Sequence, residues 1–135
     1  MENRQIIFRE IREARKQQDM RVSIANDDIS QIHFSVKGPE GTPFAGGIYH
    51  GKIILPHNFP YSAPHVQLLT ESGRFEVNTN ICINGYTAWH QDAWTPAITI
   101  SAIIRAVQSL FCETSEHGIG YSFEVNNDNA ARLRD

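Results

Sequence analysis

A chain of 135 residues and 15.3 kDa, 41% hydrophobic and 20% charged, fits one domain over residues 1–135 and excludes both two ordinary domains and a disordered chain. Its net charge of −3 argues against nucleic-acid binding, and its two cysteines, Cys82 and Cys112, are too few for a disulfide scaffold and wrongly spaced for zinc. No apolar run approaches the roughly 18 residues of a membrane span, and the N-terminus is too charged for a secretory signal, so a chain in a reducing, cytoplasmic setting without a metal is the expectation.

Charge is uneven along the chain. Residues 1–16 carry five basic and three acidic side chains, so they are net +2 while the remainder is net −5. Within that segment Ile7, Ile11 and Ala14 recur at i, i+4 and i+7, with Ile6 beside them, and predict a helix. Arg4, Arg9, Arg12, Arg15 and Lys16 occupy much of its remaining surface. Such a run is commonly a solvated face, and it also suits an acidic partner.

Strands follow. Val22 to Ala25 is a short candidate, and Ile32, Phe34 and Val36 alternate with Gln31, His33 and Ser35, the period of a strand with one buried face. Gly38-Pro39-Glu40-Gly41 is turn chemistry, and further strands are predicted from Ile48 to Leu55 and from His65 to Leu69. Short connections favour an antiparallel meander, so the class is α+β.

Pro56, Pro60 and Pro64 then recur around Phe59 and Tyr61, a rigid non-helical segment. From Leu69 to Thr95 there is no sustained period, and long irregular stretches in compact domains are often functional. Cys82 lies there among Asn78, Thr79, Asn80 and Asn84. A lone cysteine is by default a small buried hydrophobe, but a polar loop raises its claim to function. Ile100, Ile103, Ile104, Val107, Leu110 and Phe111 predict a second helix capped by Thr99, with Cys112 continuing its packed face. The remaining chain is polar, with weak helical character at most.

The order of these residues resembles a known family. Gly38-Pro39-x-Gly41-Thr42-Pro43-Phe44-x-Gly46-Gly47 leads into a strand, followed by Leu55-Pro56-x-x-Phe59-Pro60-x-x-x-Pro64. Asn78-x-x-Ile81-Cys82, Trp94-Thr95-Pro96-Ala97-Ile98-Thr99-Ile100 and a helix ending Ser109-Leu110-Phe111 complete the series. The whole, from about residue 4 to residue 112, resembles the core of the ubiquitin-conjugating (E2) enzymes. Gly73-Arg74-Phe75-Glu76-Val77-Asn78, with His90 and Trp94, is most similar to the Ubc6-type branch.

The resemblance implies an N-terminal helix, a four-stranded antiparallel sheet, a long cysteine-bearing loop, a central helix, and short or absent C-terminal helices. It implies that Cys82 carries ubiquitin as a thioester, received from an activating enzyme and passed to a lysine, or in this branch also to a hydroxyl, with no cofactor. The basic first helix would meet the activating enzyme through Arg4, Arg9, Arg12, Arg15 and Lys16. Phe59, Pro60 and Tyr61, with Thr95, Pro96 and Ala97, would form the two loops that receive a RING-type ligase, the chief aromatic contact falling at Tyr61 or Phe59. Trp94 would pack the cysteine loop. Most members carry a His-Pro-Asn turn before the cysteine. Here Arg74 stands eight residues before Cys82, and Ser72 stands where Ubc6-type members often have asparagine. Asn78 and Asn80 are the candidates for the missing amide donor. Glu113, Glu116 and His117, or His90, are candidates to help deprotonate the acceptor, each balanced against a plain role as a solvated loop residue.

Members of this branch usually act at the endoplasmic reticulum through a C-terminal membrane anchor and serve degradation there. No such span is present in these residues, so the expectation is a cytosolic chain, held at the cytosolic face of that membrane if the full-length protein has an anchor. The competing readings are a silent E2-like binding module, conjugation of another ubiquitin-like protein, and a cysteine hydrolase using His90 or His117. Silent variants usually lack the cysteine, and no protease signature precedes Cys82.

Overall fold

The computed structural model describes residues 4–72, 76–81, 83, 86–87 and 93–112. In chain order these are α1 (Arg4–Arg15), β1 (Met20–Ile24), β2 (Gln31–Lys37), β3 (Ile48–Ile54), β4 (His65–Leu68) and α2 (Ile100–Leu110). The strands pair antiparallel in the order β1-β2-β3-β4. The α+β class, the meander and both helices are as expected from the sequence.

Alternation decides which side of the sheet is covered. Ile32, Phe34 and Val36 on β2 are buried, as are Met20, Val22, Tyr49, Ile53, Val66 and Leu68 on its neighbours. Ile7, Ile11 and Ala14 of α1 and Ile100, Ile103, Ile104 and Val107 of α2 complete this core. Burying such aliphatic side chains is worth about 1.5–3 kcal/mol each, which sets the phase of every element around them.

The boundary of β1 differs from expectation. The ladder starts at Met20, opposite Val36, and stops at Ile24. Asn26 and Asp27 both adopt positive φ, at 56° and 59°, so the chain turns before Ala25 can extend the strand. Cys112 is also placed differently. It is exposed, because α2 ends at Leu110 and Cys112 lies one residue, about 100° of helical turn, past buried Phe111.

Three rings fix the loop between β2 and β3. Phe44 lies 4.7 Å from Phe111 and 6.0 Å from Tyr49, and Tyr49 lies 4.9 Å from Phe111, centroid to centroid. The glycine-rich motif thus docks on the end of α2. Nearby, Arg105 of α2 pairs with Asp19 and donates to Gln17 and Gln108, while Gln108 donates to the Lys37 carbonyl.

The hydrogen bond and charge of Arg105 hold the Asp19 carboxyl below its usual range. A lowered folded-state value means stability present above the unfolded carboxyl's pKa and lost as pH falls through the lower folded one. Both side chains are more than a third exposed, so solvent screening limits the pair to about 0.5–1 kcal/mol. Urea denaturation of the wild type and Asp19→Asn should therefore differ by about that much at pH 7 and converge as pH falls below the usual carboxylate range.

The start of α2 carries a longer-range device. Thr99 caps it conventionally, accepting from the Ala102 N–H at 3.1 Å. Glu10 of α1 accepts from the Ile100 N–H at 2.9 Å, placing a carboxylate at the positive end of the helix. Glu10→Ala is expected to cost about 1 kcal/mol and lower the Tm by about 3–5 °C. Glu10→Gln keeps the acceptor and should lose less than half of that in the same thermal melt.

Candidate functional site

The chain around position 82 is tied to β4 on its near side. Asn78 adopts φ 57°, a left-handed conformation that asparagine tolerates, and its N–H donates to the Leu68 carbonyl at 2.9 Å. Asn80 bridges to Gln67 and accepts from the Gln67 side-chain amide at 2.9 Å. The Ile81 N–H reaches the Val66 carbonyl at 2.8 Å. Ile81 and Ile83, on either side of position 82, are both buried.

Buried Thr87 closes the next turn: its hydroxyl accepts from the Ile83 N–H at 3.1 Å and donates to the Ile83 carbonyl at 3.3 Å. Cys82 itself, with Arg74, His90, Glu113, Glu116 and His117, lies outside the described residues. Ser72 is fully buried.

The two loops expected to receive a ligase are brought together. The Trp94 indole N–H donates to the Pro60 carbonyl at 2.8 Å, and its ring lies 6.1 Å from that of Phe59. Trp94 therefore staples residues 95–97 to the proline-rich segment, a role that no local pattern could reveal because its partner is 34 residues away. The Phe59–Pro60 peptide bond is cis, and turns close through Phe59 N–H to Pro56 and Tyr61 N–H to Asn58.

Phe59 and Pro60 are buried, whereas Tyr61 is 68% exposed, so Tyr61 is the aromatic side chain of this segment that faces solvent. Thr95, Pro96 and Ala97 are exposed beside it. Trp94→Phe keeps a buried ring but leaves the Pro60 carbonyl without its donor. A loss of about 1–2 kcal/mol in urea denaturation is expected.

Arg4, Arg9, Arg12 and Arg15 of α1 and Lys16 just past it are all exposed, Arg9, Arg12 and Lys16 away from Ile7 and Ile11 and Arg4 and Arg15 on the flank of that buried face, and half-exposed Phe8 sits among them. Arg15 donates to the Val22 carbonyl and Lys16 pairs with Glu13, so these two are partly committed locally. Among the described residues no cluster of His, Cys, Asp or Glu is placed to hold a metal, and no helix is long and apolar enough to cross a membrane.

Known proteins share this sequence and shape. The family model described as ubiquitin-conjugating enzyme matches residues 6–127. Human ubiquitin-conjugating enzyme E2 J2 is 42% identical over 86 residues, which cover 64% of this chain and 33% of that protein. The E2 6 enzyme of Eremothecium gossypii is 35% identical over 94 residues, 70% of this chain and 38% of that one. The chain thus spans about a third of the length of these curated relatives.

Solved structures agree in fold. Human ubiquitin-conjugating enzyme E2 G1 superposes with a TM-score of 0.72 at 20% identity, covering 84% of this chain and 97% of that one. A Toxoplasma gondii ubiquitin-conjugating enzyme E2 domain gives 0.67 at 23% identity, covering 79% and 73%. The match across residues 6–127, joined to the helix, four-stranded meander and second helix found here, places this chain in the ubiquitin-conjugating enzyme (E2) family, and its likeness is to the Ubc6-type branch.

Proposed function

We propose that residues 1–135 form one catalytic core that accepts ubiquitin from an activating enzyme as a thioester on Cys82 and transfers it, with a RING-type ligase, to an amine or hydroxyl acceptor. The observation that carries this reading is the family match, whose span includes Cys82 together with the ordered motifs around it. A thioester suits the task because exchange between two thiols is nearly balanced in energy, while the same acyl group is activated toward an amine. No resident cofactor is required for either step.

Each partner has a candidate surface. The exposed cations of α1 suit the activating enzyme. Tyr61 and residues 95–97, joined by Trp94, suit the ligase. Trp94→Phe should accordingly charge normally and respond to a RING domain several-fold less, read as ligase-stimulated discharge. Asn78 and Asn80 remain the proposed sources of an amide near the reacting carbonyl. Of the two, Asn80 has its side-chain oxygen engaged by Gln67, which leaves its N–H group oriented away from that bond as the donor.

Glu116, His117 and His90 are proposed to ease proton loss from the acceptor, and the whole protein is proposed to act in the cytosol, at the reticulum membrane where an anchor is present. The test is incubation with activating enzyme, ubiquitin and ATP. A thiol-labile adduct of this chain is expected, and its discharge onto free lysine should slow in Glu116→Ala or His117→Ala without a change in charging. No adduct with ubiquitin or any related modifier would instead favour a silent binding module. An adduct with a relative alone would reassign the modifier.

A further inference from the structure

The outward face of the sheet differs from the rest of the protein in charge. The whole chain is net −3, yet β1 to β4 contain no Asp or Glu. Their cationic and imidazole residues are Arg21, His33, Lys37, His50, Lys52 and His65, and the register places all six on the face turned from the helices. In one row Arg21 lies opposite Ser35, which lies opposite His50. In the next, Ser23 lies opposite His33, which lies opposite Lys52.

Arg21, Ser23, His33, Ser35 and His50 line an open, shallow hollow of about 530 Å³. The backbone groups here are used in the ladder, so recognition falls to side chains. Ser35 Oγ and His50 Nδ1 share a hydrogen bond of 2.6 Å, which holds the two side chains together over the hollow. An arginine fork, two imidazoles and two hydroxyls, with no carboxylate among the described lining residues, match a compact oxyanion rather than a cation or an apolar ligand.

We propose that this hollow binds a small phosphorylated ligand, its phosphate held across Arg21, Ser35 and His50 and flanked by Ser23 and His33. The proposal does not depend on the thioester chemistry. The cations of α1 provide a built-in comparison. Its four arginines stand on a convex helix with Glu10 and Glu13 among them and no serine or threonine. Charge alone would draw phosphate to both surfaces, whereas a shaped site draws it to the sheet.

The experiment is an amide-resolved NMR titration of the full chain with inorganic phosphate, ionic strength held constant with sodium chloride, repeated with glycerol 3-phosphate. Saturable shifts are expected at residues 21–23, 33–35 and 50–52 with both probes, while α1 follows only the salt. Arg21→Gln should weaken binding about fivefold or more, as loss of a charge-assisted contact does, and Ser35→Ala should weaken it about threefold or more through the lost hydroxyl. Both positions are on the solvent side of the sheet, and matching melts would show that the variants fold. Non-saturating shifts, equal responses on α1, or binding unchanged in Arg21→Gln would each overturn the proposal.

Discussion

Cys82→Ala is expected to abolish the thiol-labile ubiquitin adduct, a loss on the order of 10³-fold or more, the scale seen when a covalent nucleophile is removed. The reason is chemical rather than structural. The acyl group needs an atom that attacks one thioester and leaves as readily in the next exchange, and a thiolate does both. Serine at the same place offers an oxygen with a far higher pKa, so Cys82→Ser should load slowly or not at all. Any ester it forms should survive added thiol. Cys112→Ala supplies the control, because that exposed thiol lies just past α2 and is not asked to react. Its adduct should match the wild type in rate and amount on a non-reducing gel. A labile adduct retained in Cys82→Ala and lost in Cys112→Ala would reverse the assignment.

Gly38→Ala is expected to be the most damaging of the simple glycine replacements, at about 3 kcal/mol or more and roughly 10 °C in Tm. A Cβ at position 38 would stand 1.8 Å from the Phe44 carbonyl oxygen and 2.4 Å from its carbon. Both atoms are backbone, so the loop must move as a unit. It cannot move freely: the Gly38 N–H is bonded to the Gly47 carbonyl at 2.9 Å, and the Phe44 ring is wedged between Tyr49 and Phe111. Moving Phe44 therefore loosens the last turn of α2 as well. Gly41→Ala is the comparison. Nothing lies within 4 Å of its Cβ, and only its φ of 78° is unfavourable, so it should cost about 1–2 kcal/mol. Thermal melts that rank the two in the other order would show that the close approach at Gly38 is relaxed in solution.

Local patterns were enough to place the elements whose burial is periodic. Ile7, Ile11 and Ala14 on α1, the alternation from Ile32 to Val36 and the Thr99 cap all depend on neighbours within a few residues, and all are observed. What local pattern could not carry is contact between distant segments. Glu10 reaches Ile100 across 90 residues, Trp94 reaches Pro60 across 34, and Arg105 reaches Asp19 across 86. Trp94 lies in the same buried cluster as Ile81 and Ile83 on either side of position 82, and its indole N–H also ties residues 95–97 to the proline-rich segment, a second role that its neighbours in sequence do not disclose. Cys112 was read as helical packing because the helix was carried one residue too far. Phe59 and Tyr61 could not be separated in sequence, and burial of one ring and exposure of the other separates them.

The chemistry was legible by a different route. Nothing about period or charge points to Cys82; its proposed role as the nucleophile rests on the family resemblance that the ordered glycine, proline and tryptophan motifs carry. Their physical meaning became visible only in three dimensions. Gly38 permits the close loop, Pro60 presents a carbonyl to Trp94, and Phe111 anchors Phe44. The residues expected to act on the acceptor, Glu116, His117 and His90, stand on sequence alone, and the discharge assay decides them.

The most direct measurement is cysteine footprinting of the charged protein. After reaction with activating enzyme, ubiquitin and ATP, free thiols are blocked with iodoacetamide, the adduct is released with a second thiol, and newly exposed cysteines are labelled with a heavier reagent. Mass spectrometry of the peptides should find the heavy label on Cys82 and the light label on Cys112. Heavy label on Cys112, or light label on both with an adduct still present, would contradict a thioester at Cys82.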